Sequence, residues 1–524
     1  MNLKIKNILF VSGLIMILLH YSCNDYLDVL PDNRAQLDTD EKIAQLLVSA
    51  YSPRLFIYAT ETSSDNTDRR DNGMSSVSEE HEDLFYWRDV TSTTGNDGIE
   101  AFWSRTYMAI ASANHAIMAI DELGDPERFN AHLGEALMCR AYNHFMLVNV
   151  FAKHYSTVTG ETDLGIAYAD KPETTVNPYY ERLPVAEVYR RIEADLLKGL
   201  ELIDDNLYTA PKYHFNRRAA QAFAARFYLF YKKYDKVIEY STQVLGERPE
   251  RELRKMQEFA SLPTGAQDRA KFYAKPEHSC NLLITSAVSA ACTYFGNYNT
   301  GKKFLHSLLI SASETTRSTT PWDTYKESTY YQAPGSYTPG YVFTPKNPYY
   351  FEYTDLVARI GYTRTISVAF HTDETLLCRA EAYIWQQQYD KATEDLNHWA
   401  KAHTTSTAVM TPDSINNFYK NMEYYRPDDP TPKKRLNPES PFVSELQENM
   451  MHCLLHVRRI ETIHEGLRWF DVKRYGIVIY RRHLNENDNI AVTDELTVDD
   501  ERRAIQLPIN VISAGMTPNP RKLK

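Results

Sequence analysis

The sequence predicts a mostly α protein in which paired helices form a scaffold and long irregular segments on that scaffold form a binding face. Three observations lead there. Several segments repeat apolar residues at helical spacing. Two stretches copy one another in residue type and spacing. Between those copies lies a region rich in Ser, Thr, Gly, Pro and aromatic residues with little helical period.

The N-terminus reads as an export signal. Lys4 and Lys6 are basic, and Ile8 to Leu19 is apolar apart from Ser12. A membrane-spanning helix needs about 20 apolar residues, so this shorter run fits a cleaved secretory signal. Small Ser22 then precedes Cys23, which resembles a lipoprotein signal whose new N-terminal Cys takes lipid. His20 and Tyr21 depart from that pattern. The expected organisation is a signal over residues 1–22, an N-terminal helical part over 23–250 and a C-terminal part over 251–524, anchored through lipid on Cys23.

Composition narrows the class. The formal charge is -11 and no Lys/Arg stripe is present, which argues against a nucleic-acid surface. Without Cys23, five of the 6 cysteines remain. Cys139, Cys378 and Cys453 fall in apolar helical patterns, where Cys acts as a small buried hydrophobe. Cys280 and Cys292 could pair, but no disulfide framework is expected. Tyr numbers 37. Its flat ring with a polar tip suits half-exposed, wet surfaces, and sugar ring faces lie well on such rings.

The elements follow in order. Residues 41–51 carry Ile43, Leu46, Leu47 and Ala50; residues 99–120 carry Ile99, Phe102, Trp103, Tyr107, Ile110 and Ile117. Residues 132–151 carry Leu133, Ala136, Leu137, Ala141, Tyr142 and Phe145; residues 185–203 carry Val185, Val188, Ile192, Leu196 and Leu200, with Pro184 at the start. Each needs a partner for its apolar stripe. Ala225-Arg226-Phe227-Tyr228 leading to Tyr234-Asp235-Lys236 repeats as Ala380-Glu381-Ala382-Tyr383 leading to Tyr389-Asp390-Lys391. This resembles the tetratricopeptide pattern: a small residue for close approach, an aromatic wedge, and a turn into the second helix. Residues 133–155 read as a degenerate third copy and 185–203 as part of a fourth.

Three stretches are irregular. Residues 55–98 hold Asp65, Asn66, Trp87, Asn96 and Asp97. Residues 250–365 include Trp322, Tyr325, Tyr330, Tyr331, Tyr337, Tyr341, Phe343, Tyr349, Tyr350, Phe351, Tyr353 and Tyr362. Residues 403–442 are polar and Pro-rich, an expected exposed excursion. Long irregular segments on a rigid scaffold usually carry function.

Motifs along the whole chain resemble the SusD/RagB family of nutrient-binding outer-membrane lipoproteins. They are Cys23-Asn-Asp-Tyr-Leu-Asp; Phe102-Trp103 with Tyr107 and Ala113-Asn114; Gly134-Glu135-Ala136 leading to Arg140-Ala141-Tyr142; and Arg379-Ala380-Glu381-Ala382-Tyr383. The most specific is Glu465-Gly466-Leu467-Arg468-Trp469-Phe470-Asp471 followed by Lys473-Arg474-Tyr475-Gly476, and Leu507-Pro508 with Pro518-Asn519-Pro520 resembles the tail. The resemblance implies a helical, tetratricopeptide-like fold with a loop-built binding face. It implies a lipid-anchored cell-surface protein that binds an oligosaccharide or other nutrient, without cleaving it, over a SusC-like TonB-dependent channel. The Glu461, Glu465, Arg468, Trp469 and Phe470 stretch reads on its own as a packing joint of charges and rings.

The expected ligand residues are Trp87, Asn96, Tyr294, Tyr298 and Trp322, gathered on one exposed face. No cofactor or metal is expected. Glu79, Glu80, Glu82 and Asp83 around His81 read as a solvated charged face. Asp65, Asp68 and Asp71 with Gly73 lack calcium-loop spacing and a closing bidentate Glu. No nucleophile elbow, phosphate loop or HExxH is present. Two other classes stand beside the binding reading: a helical-repeat adaptor for a protein partner, and a glycan-active enzyme.

Overall fold

The computed structural model describes residues 37–521 apart from 71–77, 94, 126, 174–179, 263–264, 297–302, 323–332, 335–339, 486 and 488. The signal, Cys23, Tyr298, Asp71, Gly73 and the rings of Tyr325, Tyr330, Tyr331 and Tyr337 lie outside the described residues. Helices dominate, as expected, and no helix among the described residues is long and apolar enough to cross a membrane.

The first helices follow the sequence pattern. α1 (Asp40–Val48) is capped by Thr39, whose hydroxyl accepts from the Lys42 N–H. α2 (Ile57–Ser63) and α3 (Glu79–Phe85) lead to α4 (Ile99–Leu123), which ends at Gly124 in the left-handed region (φ 68°). α5 (Asn130–Phe151) is buried on nearly every side. α6 (Val185–Leu202) buries Val185, Val188, Ile192 and Leu196 against it. Glycine permits that approach: a Cβ on Gly199 would sit 2.7 Å from the Met138 sulfur, and one on Gly134 only 2.8 Å from the Ile203 amide.

The internal repeat is structural. α7 (Arg217–Phe230) pairs with α8 (Tyr234–Leu245), and α9 (Thr372–Trp385) pairs with α10 (Tyr389–His403). Both turns use the same backbone. Lys232 (φ 61°) and Gln387 (φ 60°) are left-handed at matching positions. The next amide donates to the matching tyrosine carbonyl, Lys233 to Tyr228 at 2.9 Å and Gln388 to Tyr383 at 2.8 Å. The further copies need correction. α5 and α6 are the two helices of one pair, separated by a long connection. Arg140 clasps Asp195 through two bonds of 2.7 Å, just as Arg379 on α9 clasps Asp395 on α10 at 2.9 and 2.7 Å.

The expected excursion at 403–442 is only partly exposed. It contains α11 (Pro412–Lys420), whose Ile415 and Tyr419 are fully buried against α12 (Glu445–Glu461). α13 (Arg468–Arg474) follows and brings the most specific motif into the core. Beside a two-stranded pairing of residues 333–334 with 342–343, two small sheets complete the fold. One orders β1 (Asp68–Arg70), β3 (Phe304–Leu305), β6 (Ile479–Leu484) and β7 (Ile490–Leu496) as β3-β1-β6-β7; the other places β5 (Ile360–His371) between β2 (Asn281–Val288) and β4 (Tyr350–Asp355).

One hydrophobic core runs from Ile43 to Leu507. It encloses charges that are paired with one another or, like Arg481 and Lys473, held by backbone carbonyls, as buried charges require. Asp65 accepts from Arg468 at 2.8 and 2.9 Å and from Lys434 at 2.7 Å. Burial raises its pKa, but Arg459, Arg468 and Lys434 hold the carboxyl well below the usual range. Asp68 is paired with Arg482 at 2.8 Å. The two described acids of the calcium-like pattern, Asp65 and Asp68, are thus turned to the protein's own cations. Arg458 lies 3.2 Å from Asp471 and 3.6 Å from Glu374, and Trp469 is fully buried; this is the packing joint the sequence suggested. Cys139, Cys280, Cys292, Cys378 and Cys453 are buried free thiols, so Cys280 and Cys292 are not joined.

Candidate functional site

The site grows from the α3–α4 connection. Asp97 there accepts from the Ser289 hydroxyl and, at 2.7 Å, from the Ala290 amide. Burial raises its pKa, against those two donors. This anchor fixes Asn96 beside the end of β2. Arg54 donates to the Asn96 side-chain oxygen at 3.0 Å and to the Val288 carbonyl at 2.9 Å. The Val288 amide donates to the Pro53 carbonyl at 3.1 Å, and the Ser289 amide to the Thr363 carbonyl at 3.0 Å. Four separate segments therefore meet at one point. Burial lowers the pKa of Arg54, Arg105 and Arg364 lower it further as like charges, and Asp97 opposes them.

Glu80 on α3 supports this connection from below. Its carboxylate accepts the Ile99 amide at 3.0 Å, which caps α4, a helix with no side-chain cap of its own. Burial and the neighbouring Asp97 and Asp83 raise its pKa to about 7, against that amide. Glu80, His81 and Asp83 are buried, so the charged run around His81 is not the solvated face expected. His81 is packed among Tyr58, Tyr294 and Phe304, with ring centres 5.1, 5.7 and 5.2 Å away.

The β4–β5 hairpin stands beside Arg54. It exposes Tyr350 37%, Phe351 37%, Tyr353 51%, Leu356 78%, Val357 95%, Ile360 62% and Tyr362 48%, a dense run of surface rings and aliphatics. Strand alternation sorts them. Tyr350, Glu352, Tyr362 and Arg364 share one face, with Tyr350 opposite Arg364 and Glu352 opposite Tyr362. Arg364 is paired with Glu352 and reaches the Ser286 hydroxyl at 3.4 Å. Phe351 and Tyr353 share the other face, edge to face at 4.8 Å. A Cβ on Gly361 would clash with the Glu352 carbonyl oxygen and lie 2.9 Å from the Phe351 ring, so glycine permits the close approach of the two strands and of that ring.

The predicted residues divide. Asn96 is exposed, and Tyr294 is half-buried with its ring 4.5 Å from Tyr58. Asp97 places these two on neighbouring turns. Trp87 is a correction. It is 5% exposed, its indole N–H donates to the Ser63 carbonyl at 2.8 Å, and Arg481 covers its ring at 4.0 Å. Trp322 is a second correction: it is fully buried, 5.5 Å from Trp399 and 5.4 Å from His456. Neither ring has an open face. Sequence reasoning singled out neither Arg54 nor the hairpin as such. The concentration of β-branched residues Ile360, Thr363, Thr365, Ile366 and Val368 was the available strand signal.

A separate cavity of about 350 Å³ opens between α4 and the 152–184 connection, lined by Trp103, Tyr107, Asn114, Lys171 and Met516. Its central polar groups are already engaged. Tyr107 donates to the Ala167 carbonyl at 2.8 Å, and Asn114 donates to the Ala169 carbonyl at 3.0 Å. They hold the connection in place.

Comparisons with known proteins agree with this architecture. The profile of the SusD family matches residues 142–510, and a SusD-like profile described as starch-binding associating with outer membrane matches residues 25–229. A SusD-like protein of Formosa agariphila is 28% identical over 174 residues, and the match spans 32% of each chain, about a third of that relative's length. The structure of a SusD superfamily protein from Bacteroides thetaiotaomicron has a TM-score of 0.63 at 18% identity, over 91% of this chain and 98% of that one. A SusD-like carbohydrate binding protein from Bacteroides vulgatus gives a TM-score of 0.57 at 14% identity, over 92% and 98%. At such identities these structures speak for the fold, whereas the profile match covers most of the chain. The chain belongs to the SusD family.

Proposed function

We propose that this protein is a cell-surface lipoprotein, anchored through Cys23, that binds a carbohydrate and passes it to a TonB-dependent outer-membrane channel. The observation that carries the binding reading is the exposed ring-bearing β4–β5 hairpin next to Arg54 and Asn96. Rings offer flat apolar faces for the C–H side of a sugar, and the guanidinium and amide offer hydrogen bonds to its hydroxyls. The family's description as starch-binding associating with the outer membrane, and the carbohydrate-binding description of the Bacteroides vulgatus neighbour, support a carbohydrate ligand. The lipoprotein-like signal supports the anchor. Among the described residues of the site no nucleophile, base and oxyanion donors stand together; the family's description as binding proteins supports binding without cleavage. Partner recognition by a helical-repeat adaptor has no specific observation in its favour.

The test is titration calorimetry of the mature chain against a panel of plant, algal and host oligosaccharides. Stacking on an aromatic ring is worth about 1–3 kcal/mol for a nucleobase, and a sugar belongs at the lower end. Tyr350→Ala and Tyr362→Ala, which remove the two rings of one hairpin face, are together expected to weaken binding of the active sugar roughly 10- to 50-fold with melting unchanged. Heat from no sugar in the panel would favour the adaptor. Release of reducing ends by the purified chain would favour the enzyme.

A further inference from the structure

Three arginines from three segments converge on the binding face. Arg54 follows Ser52 and Pro53 ahead of α2, Arg105 lies on α4 and Arg364 lies on β5. Val288 joins two of them. Its carbonyl accepts from Arg54 at 2.9 Å, and Arg364 is its partner across the β2–β5 ladder. The third is tied in through its neighbour. The Thr106 and Ser52 hydroxyls share a hydrogen bond of 3.0 Å, which sets Arg105 beside the segment that carries Arg54. Lys271 adds a fourth cation, its ammonium 5.9 Å from the centre of the Tyr350 ring.

These cations exceed the carboxylates around them. Arg54 bonds only neutral oxygens, that of the Asn96 amide at 3.0 Å and that of the Val288 carbonyl. Its Nε is buried without a partner among the described residues, and each terminal nitrogen keeps one N–H for a ligand. Arg105 is exposed. Its guanidinium meets the Met108 sulfur at 3.5 Å and no carboxylate among the described residues. Opposite the cations stand Glu352, paired with Arg364, and Asp97, whose carboxylate accepts from Ser289 and Ala290. Glu80 lies buried beneath, with a pKa raised to about 7 by burial, so it supplies only part of a charge. Positive charge therefore collects here, in a chain whose formal charge is -11. An anion at this point would relieve the repulsion that Arg105 and Arg364 exert on Arg54.

We propose that the ligand of this face is an acidic oligosaccharide, whose carboxylate or sulfate group is held by Arg54 and Arg105 while its sugar rings lie on Tyr350 and Tyr362. The proposal rests on the carbohydrate reading and narrows it. Guanidinium groups make charge-assisted hydrogen bonds to such oxyanions, stronger than their bonds to neutral hydroxyls. A neutral sugar would leave Arg105 with no counter-charge.

Calorimetry on the full mature chain tests this. Acidic oligosaccharides from pectin and alginate, which carry carboxylates, and from carrageenan, which carry sulfates, are compared with neutral ones from starch, xylan and mannan. One acidic set is expected to bind about ten-fold tighter than every neutral set, and the set that binds names the charged group. Raising sodium chloride from about 0.05 to about 0.5 M is expected to weaken that binding several-fold, because screening shortens the reach of the charges. Arg105→Gln breaks no ion pair among the described residues, so it is expected to melt like the wild type and to bind the acidic ligand roughly five-fold less tightly. Neutral sugars that bind as tightly as acidic ones would overturn this inference and leave the carbohydrate reading in place. Acidic binding that neither salt nor Arg105→Gln weakens would overturn it as well. Heat from no sugar at all would overturn both.

Discussion

At the scale of single residues, environment rather than residue type decides the role. Asn96 and Trp87 occur within ten positions of each other, yet Asn96 is exposed and Trp87 is walled in by Arg481 and Ser63. No local pattern separates a ring that will stack on a ligand from one that fills a core. Trp322 shows this most clearly, since its pocket is made by Trp399 and His456, far away in sequence. Glu80 offers a quantitative test. Its pKa is raised to about 7 from an ordinary 4.5, so the folded chain binds its proton more tightly than the unfolded chain does. Stability contributed here is full below pH 4.5 and falls as pH rises to about 7. At about 1.4 kcal/mol per pH unit the loss is roughly 3 kcal/mol. Glu80→Gln keeps an acceptor for the Ile99 amide and removes the charge. Denaturant unfolding of both proteins is expected to show similar stability at pH 5 and a more stable variant at pH 8.

At the scale of elements, the sequence was informative wherever a period repeated. The helices predicted over 99–120 and 185–203 appear as α4 and α6 within a few residues. The repeated Tyr-Asp-Lys starts α8 and α10 in the same way. The Arg–Asp clasp joining α5 to α6 was not legible, because its partners are separated by the long connection at 152–184. The hairpin was missed because its β-branched residues stand among exposed rings with no regular period of two. The turn between α9 and α10 gives a prediction. Gln387 is exposed and left-handed at φ 60°, where a side chain costs about 1–2 kcal/mol. Gln387→Gly removes that cost and adds some freedom to the unfolded chain. Thermal melting is expected to show a net gain of roughly 1 kcal/mol; a loss would contradict the turn geometry.

At the scale of the whole molecule, the fold separates frame from face. One core joins the helix pairs, and among its buried carboxylates Asp65, Glu314 and Asp471 each meet cations within 3.2 Å. Such a frame holds surface segments still while their exposed side chains stay free. The face is the point where residues 53–54, 96–97, 288–290 and 363 are bonded to one another, with the ring-bearing hairpin rising beside them. Hydrogen–deuterium exchange of the mature chain, with and without a bound oligosaccharide, tests that division directly. Protection confined to residues 54, 96–97 and 350–364 is the result predicted. Protection at the cavity beside Trp103, with the hairpin unchanged, would contradict it.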